Sequence, residues 1–298
     1  MNGNFAPKKV YEALNWASSF LQNHQYEPQI GERLLLYHTG WTRSKLFAEY
    51  RSALSLEIWE AFERDVKRAA EGYPVQYITG EEIFCGRTFR VNEHVLIPRQ
   101  ETEELIEYVL REWRKLEETG KLEAPVHVVD VGTGSGIIAV TLKLERESEH
   151  VTAIDISKDA LRVAEKNANR LQAEVEFLHG DLLEPLMESG QKMNIIVSNP
   201  PYVREGDRAV MKENVLLHEP MLALFAGEDG LDIYRKLVTQ IPYVLTVPGI
   251  VAFEIGHGQG EQVASLLRSA LGDMASDFAV QIIHDINKKE RIVIAVVQ

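Results

Sequence analysis

The run Val128-Val129-Asp130-Val131-Gly132-Thr133-Gly134-Ser135-Gly136-Ile137-Ile138-Ala139 constrains the fold more than any other stretch of the chain. Its first four residues read as a short buried strand, and those after Gly136 as an apolar helix. Glycines let the backbone between them approach a ligand closely, and a helix N-terminus offers free N–H groups. The same alternation continues to the end of the chain. Strands are expected at 126–131, 151–156, 174–178, 193–198, 249–254, 278–284 and 291–297, with helical stretches among them. Alternation of this kind means an α/β fold with a doubly wound sheet and ligands at the carboxyl ends of its strands.

The glycine spacing is Gly-x-Gly-x-Gly. A dinucleotide fingerprint would need glycine where Ile137 stands, and a phosphate loop would need a Gly-Lys-Ser/Thr ending. The second strand, Val151 to Ile156, carries Asp155 at its end, where an acid can accept both hydroxyls of a ribose. The third, Val175 to Leu178, is followed by His179-Gly180-Asp181-Leu182. A glycine loop, a ribose acid and a third-strand acid in this order resemble the S-adenosylmethionine pocket of class I methyltransferases.

The fourth strand runs into Asn199-Pro200-Pro201-Tyr202. Neither proline can donate to a sheet ladder, and proline pushes the residue before it out of the helical region. Asn199 and Pro200 are therefore expected to be extended, with backbone carbonyls left free beside a carboxamide oxygen. Such a cluster of acceptors can grip a planar –NH2 group, with the Tyr202 ring as a wall. On its own the segment also fits a proline-terminated strand and a surface turn. The long stretch from Tyr202 to Leu231 leaves directly from it and contains Glu219-Pro220 and Gly227-Glu228-Asp229-Gly230. Connections of this length are usually functional or mobile.

The 298 residues suffice for one large or two ordinary domains. Residues 1–75 read as helical, with Val10, Leu14, Ala17 and Leu21, then Leu34 to Leu36, then Leu56, Trp59, Phe62 and Val66 at helical spacing. This stretch is electrically neutral, so the whole net charge of −13 falls on the remainder. A neutral helical module ahead of an acidic one suggests a separate task, such as holding a partner protein. Gly72-Tyr73-Pro74 breaks the helices, and Ile83-Phe84 and Phe89-Arg90-Val91 flank Cys85-Gly86-Arg87-Thr88 as a hairpin. A helix is then expected from about Glu101 to Glu118. The acidic balance counts against duplex binding. No apolar run reaches a membrane span and no signal-peptide pattern opens the chain, so a cytoplasmic protein without membrane contact is expected. Cys85, the only cysteine, excludes an intramolecular disulfide and a cysteine-based zinc site, and reads as a small apolar filler. His257, in Gly256-His257-Gly258, reads as a loop histidine rather than a catalytic one.

Several stretches together resemble the PrmC/HemK family, the glutamine-N5 methyltransferases of peptide chain release factors. They are Pro74 to Gly80, Leu96 to Glu103, Asp130 to Gly136, Asn199 to Tyr202, Glu219-Pro220 and Gly227 to Leu231. Gln100 departs from the pattern, since the family usually has a second proline after the arginine. The resemblance implies a helical release-factor-recognition domain (1–75), a β-hairpin linker (76–98) and a class I, Rossmann-like methyltransferase domain with a seven-stranded sheet (99–298). It implies S-adenosyl-L-methionine as methyl donor, S-adenosyl-L-homocysteine as product and no metal. The partners it implies are class I release factors, with no direct nucleic-acid contact. Gly132, Thr133, Gly134, Ser135, Gly136 and Asp155 would bind the cofactor, and Asp181 and Leu182 would border the adenine. Asn199 would touch cofactor and substrate, and Asn199, Pro200, Pro201 and Tyr202 would hold the glutamine of a Gly-Gly-Gln motif. Asn199, Pro200 and Tyr202 would form the reaction centre. Two other readings fit parts of the pattern: an adenine-N6 DNA methyltransferase, whose target is also a planar conjugated amine, and a cofactor-binding regulator without catalysis.

Overall fold

The computed structural model describes residues 8–272 and 274–298, and the chain divides into two compact units. The first comprises the described residues up to Gly80 together with Lys212–His218. Its helices up to Gly80 are α1 (Val10–Asn23), α2 (Gln29–Thr39), α3 (Arg43–Ala48), α4 (Leu56–Ala70) and α5 (Val75–Thr79). The expected stripes turn inward, except at Leu56: Val10, Ala17 and Leu21, then Leu34 and Leu35, then Trp59, Phe62 and Val66 share one core, with Leu14 and Leu36 half-buried against it, while Leu56, the first residue of α4, is 45% exposed. Ser55 starts α4 by accepting a hydrogen bond from the Ile58 amide at 3.3 Å. Helix α3 was not expected from the sequence. It is six residues long with one buried side chain, Leu46, too few to show a period, and it is started by the Thr42 cap. Helix α5 returns Val75 and Ile78 to the same core, which carries the unit past residue 75 to Gly80.

The second unit opens with the hairpin β1 (Glu81–Phe84) and β2 (Arg87–Arg90). Pairing of Phe84 with Arg87 leaves a two-residue turn, Cys85-Gly86, rather than the four residues expected. Both turn residues have positive φ, +47° and +71°, as a tight hairpin turn of the type I′ class requires. Phe84 and Phe89 enter the core of this unit. Then follow α6 (Glu101–Glu118), β3 (His127–Val131), α7 (Ile137–Glu145), β4 (His150–Asp155), α8 (Lys158–Leu171), β5 (Val175–His179), α9 (Glu184–Ser189) and β6 (Met193–Ser198). After α10 (Glu213–His218), which belongs to the first unit, come α11 (Asp232–Val244), β7 (Leu245–Glu254), α12 (Gly260–Gly272), β8 (Phe278–His284) and β9 (Glu290–Val297).

All seven expected strands form one sheet in the order β5-β4-β3-β6-β7-β9-β8. It is parallel from β5 to β7, while β9 runs antiparallel to both its neighbours. Strand β7 begins four residues before its expected start, because Met193 pairs with Leu245 ahead of a register shift. One face is covered by Leu105, Val109 and Trp113 of α6 and Ile138 and Leu142 of α7. The other is covered by Tyr234, Leu237 and Ile241 of α11 and Val263 and Leu267 of α12. A doubly wound sheet of this order places its ligand crevice where the strand order reverses. Here that point lies between β3 and β6, and their last residues, Val131 and Ser198, pair directly. Among the described residues no helix is long and apolar enough to cross a membrane.

Candidate active site

The sequence-predicted residues converge on the carboxyl ends of four adjacent strands: Gly132 follows β3, Asp155 ends β4, Asp181 follows β5 and Asn199 follows β6; Glu254, which the sequence did not single out, ends the next strand, β7. The loop after β3 is anchored at both ends. The amides of Gly132 and Thr133 donate to the Ile154 carbonyl at 2.8 and 3.0 Å, and the Gly136 amide to the Thr133 carbonyl at 2.9 Å. Gly132 and Gly134 have φ of +72° and +57°, and a Cβ at either would point into open space. Those two positions therefore form a backbone cradle. Gly136 serves packing instead, since a Cβ there would lie 3.0 Å from that of Ala164 in α8.

Thr133 and Ser135 are buried and serve the loop's own geometry. The Thr133 hydroxyl donates to Asp130 Oδ2 at 2.6 Å, and the same oxygen accepts the Ala139 amide at 3.1 Å. Burial pushes the Asp130 carboxyl up to about 7. Asn167, which the sequence did not single out, donates through Nδ2 to the carbonyls of Ser135 and Arg90, each at 2.9 Å, and clamps the loop to the hairpin.

Asp155 Oδ2 accepts the Gly134 amide and Oδ1 the Ser157 amide, both at 2.8 Å. A carboxylate has about four lone-pair sites, so two remain for hydroxyls. Burial raises its pKa and these amide hydrogen bonds oppose the rise. The open cradle and the acceptor capacity of Asp155 fit the ribose and amino-acid ends of S-adenosylmethionine. Asp181 and Leu182 are half-buried beyond β5. Ile156, next to Asp155, is 49% exposed despite being apolar, which offers a flat base a wall the sequence reading had missed.

Asn199 donates through Nδ2 to Thr102 Oγ1 at 3.1 Å. Among the described residues nothing donates to its Oδ1 or to the Pro200 carbonyl. The two stand as free acceptors just past the end of β6. Pro200 is buried and Pro201 and Tyr202 are half-buried. The Tyr202 hydroxyl donates to Glu254 Oε1 at 3.3 Å, and burial raises its pKa.

Four further residues hold this centre. Gln259 donates to the carbonyls of Tyr202 and Gly230 at 3.1 and 3.3 Å and accepts the Gly256 amide at 2.9 Å. Glu219 accepts Arg99 Nη2 at 2.6 Å and the Ile97 amide at 3.3 Å, so two stretches quoted separately from the sequence are one contact. Glu254 is buried, accepts the Thr102 hydroxyl at 2.6 Å and is raised by burial to about 7. No spacing rule finds Thr102, Glu219, Glu254 and Gln259, because each bonds a residue far from it in the chain. His257 is exposed. The Cys85 thiol is pushed up to about 11 by burial, fitting an unreactive filler.

Two family models match the chain: the PrmC N-terminal domain over residues 12–80 and the methyltransferase small domain over residues 114–227. The chain is 48% identical over 291 residues to the release factor glutamine methyltransferase of Bacillus subtilis (strain 168), which covers 97% of this chain and 98% of that protein. It is 46% identical over 290 residues to the release factor glutamine methyltransferase of Bacillus anthracis, with 97% and 100% covered. Among solved structures, the hMettl16 catalytic domain in complex with MAT2A 3'UTR hairpin 6 matches 78% of this chain and 91% of that one, with a TM-score of 0.51 and 14% identity, a likeness of fold.

Proposed function

The chain belongs to the release factor glutamine methyltransferases, and on that premise we propose which of its residues carry the reaction. It is an S-adenosylmethionine-dependent methyltransferase that acts on a glutamine of peptide chain release factors. In our reading the target is the side-chain nitrogen, N5, of the glutamine in a Gly-Gly-Gln motif of class I release factors. The product of the donor is S-adenosylhomocysteine, no metal takes part, and the reaction belongs in the cytoplasm without direct contact to nucleic acid or membrane. The methyl donor supplies an electrophilic methyl group on a sulfonium sulfur.

Gly132, Gly134 and the rest of the loop to Gly136 bind the donor through backbone, and Asp155 accepts its ribose hydroxyls. Asp181, Leu182 and Ile156 border its base. Asn199 Oδ1 and the Pro200 carbonyl each accept one hydrogen of the substrate –NH2. An amide nitrogen is a poor nucleophile because its lone pair is delocalised. Fixing both hydrogens fixes the direction of the nitrogen and removes much of the entropic barrier. The same two oxygens favour positive charge as it develops on nitrogen, the mirror image of an oxyanion hole. Pro201 keeps the turn extended, and the Tyr202 ring walls the amide plane. Once methylated, the cationic amide nitrogen is strongly acidic and gives its proton to water. Residues 1–75 and the α5 turn after them recognise the release factor, and the hairpin joins them to the methyltransferase domain.

The observation that carries this reading is the pair of unpartnered acceptors at Asn199 and Pro200 beside the glycine cradle. Incubation with labelled S-adenosylmethionine and either intact release factor or duplex DNA tests it. Label is expected on the release-factor glutamine. Label transferred to adenine in DNA, with none on the protein, would overturn it.

A further inference from the structure

A carboxamide presents either an acceptor oxygen or a donor –NH2, depending on a half-turn about its last bond, and the two flips have nearly the same shape. Only one flip of Asn199 can serve a substrate amide, because –NH2 facing –NH2 sets donor against donor. Thr102 decides between them. Its hydroxyl carries a single hydrogen, which goes to Glu254 Oε2 at 2.6 Å. With that hydrogen committed, Thr102 Oγ1 can only accept from Asn199, and Nδ2 lies 3.1 Å from it. Oδ1 is left free. Thr102 and Glu254 are both buried, so water does not compete for these bonds.

Glu254 is held in turn. Tyr202 donates to its other oxygen at 3.3 Å, the Tyr234 hydroxyl donates to its carbonyl at 2.7 Å, and the Arg291 cation favours its charge while Glu101 opposes it. If Glu254 were protonated it could donate to Thr102, which would free the Thr102 hydrogen for Asn199 Oδ1 and stabilise the unproductive flip.

We propose that Thr102 and Glu254 are positioning residues that lock the Asn199 carboxamide with its oxygen toward the substrate amide. The proposal rests on the reading of Asn199 as the amide acceptor. Neither residue is assigned a contact with substrate: Thr102 bonds Asn199 directly, and Glu254 acts on Asn199 through Thr102 while also accepting the Tyr202 hydroxyl.

Single-turnover methylation of intact release factor by the full-length enzyme, with saturating S-adenosylmethionine, tests it. Thr102→Val keeps the shape and removes the hydroxyl; Thr102→Ser restores it. Residues in one hydrogen-bond network couple measurably, so Thr102→Val is expected to slow transfer about tenfold to a hundredfold. The KM for release factor should hold, and Thr102→Ser should recover most of the rate. In an Asn199→Ala background, Thr102→Val should cost less than about twofold more, since no carboxamide remains to be oriented. A misfolding defect would instead persist in that background. A fast Thr102→Val enzyme beside a slow Asn199→Ala enzyme overturns this inference alone, as does a full additional loss in the double variant. An Asn199→Ala enzyme as fast as wild type overturns the reading of the site itself.

Discussion

Glu254 carries its charge in a buried setting, and that makes it visible to pH. Burial raises its pKa to about 7, opposed by the Thr102 hydrogen bond and the Arg291 charge. The productive network needs the ionised form, so kcat at saturating cofactor should climb as pH rises through about 7. Glu254→Gln should flatten that limb, which a rate profile between about pH 5.5 and 8.5 would check. Stability runs the other way. The folded chain holds this proton more tightly than the unfolded chain, so the Glu254 contribution is greatest below the ordinary glutamate range and falls as pH rises to about 7. Asp130 titrates in the same range and adds its own slope, so the difference between wild type and Glu254→Gln is the quantity to read. Asp155→Ala should weaken S-adenosylmethionine at least about tenfold, since hydrogen bonds to a charged group are worth roughly 1.5–3 kcal/mol each. Wild-type affinity in a calorimetric titration would remove Asp155 from the site. Gly132, Asp155 and Asn199 were legible in the sequence because each sits where a strand ends. Glu254 also ends a strand, but its role shows only once Thr102, far away in the chain, lies beside it.

Elements were legible where a period or a breaker marked them. Strands β3 to β6 read directly from apolar runs, and Pro200 marks the end of β6. Helix α3 and the early start of β7 did not, since one is too short for a period and the other is irregular. The stretch Gly227 to Leu231 stands out in the sequence, but its reason lies in a non-local contact. Gly230 has φ of +76°, and a Cβ there would lie 2.3 Å from the Tyr202 carbonyl oxygen and 2.7 Å from Gln259 Nε2. It is glycine because the Asn-Pro-Pro-Tyr turn passes against its backbone. Gly230→Ala should therefore destabilise the protein by more than about 1 kcal/mol and slow methyl transfer. Gly258, with φ of +85° and open space around it, is the control. Gly258→Ala should carry the conformational cost but leave the rate near wild type. Equal rates for the two variants would show that Gly230 does not set the turn.

At the scale of the molecule the helical unit is neutral and the net charge of −13 lies beyond it. That split and the Gly72-Tyr73-Pro74 break made two units readable. The contribution of Lys212–His218 to the helical unit was not readable, because its contacts are non-local: the His218 ring stands 4.8 Å from that of Tyr73, and a Cβ at Gly72 would lie 3.9 Å from that of Asn214. Deleting residues 1–80 should spare S-adenosylmethionine binding and sharply lower kcat/KM on intact release factor. Unchanged kcat/KM would remove the proposed recognition role. The proposed reaction centre stands on Asn199. Single-turnover methylation of folded release factor, read by mass on the target glutamine, ranks wild type, Asn199→Asp and Asn199→Ala. Asn199→Asp keeps an acceptor at the same reach but loses the bond to Thr102, and should be slower than wild type and faster than alanine. Loss of one preorganised contact to developing charge costs on the order of 10²–10³ in rate, and Asn199→Ala should fall by that much while still binding release factor. Transfer by Asn199→Ala at the wild-type rate would contradict the account at its centre.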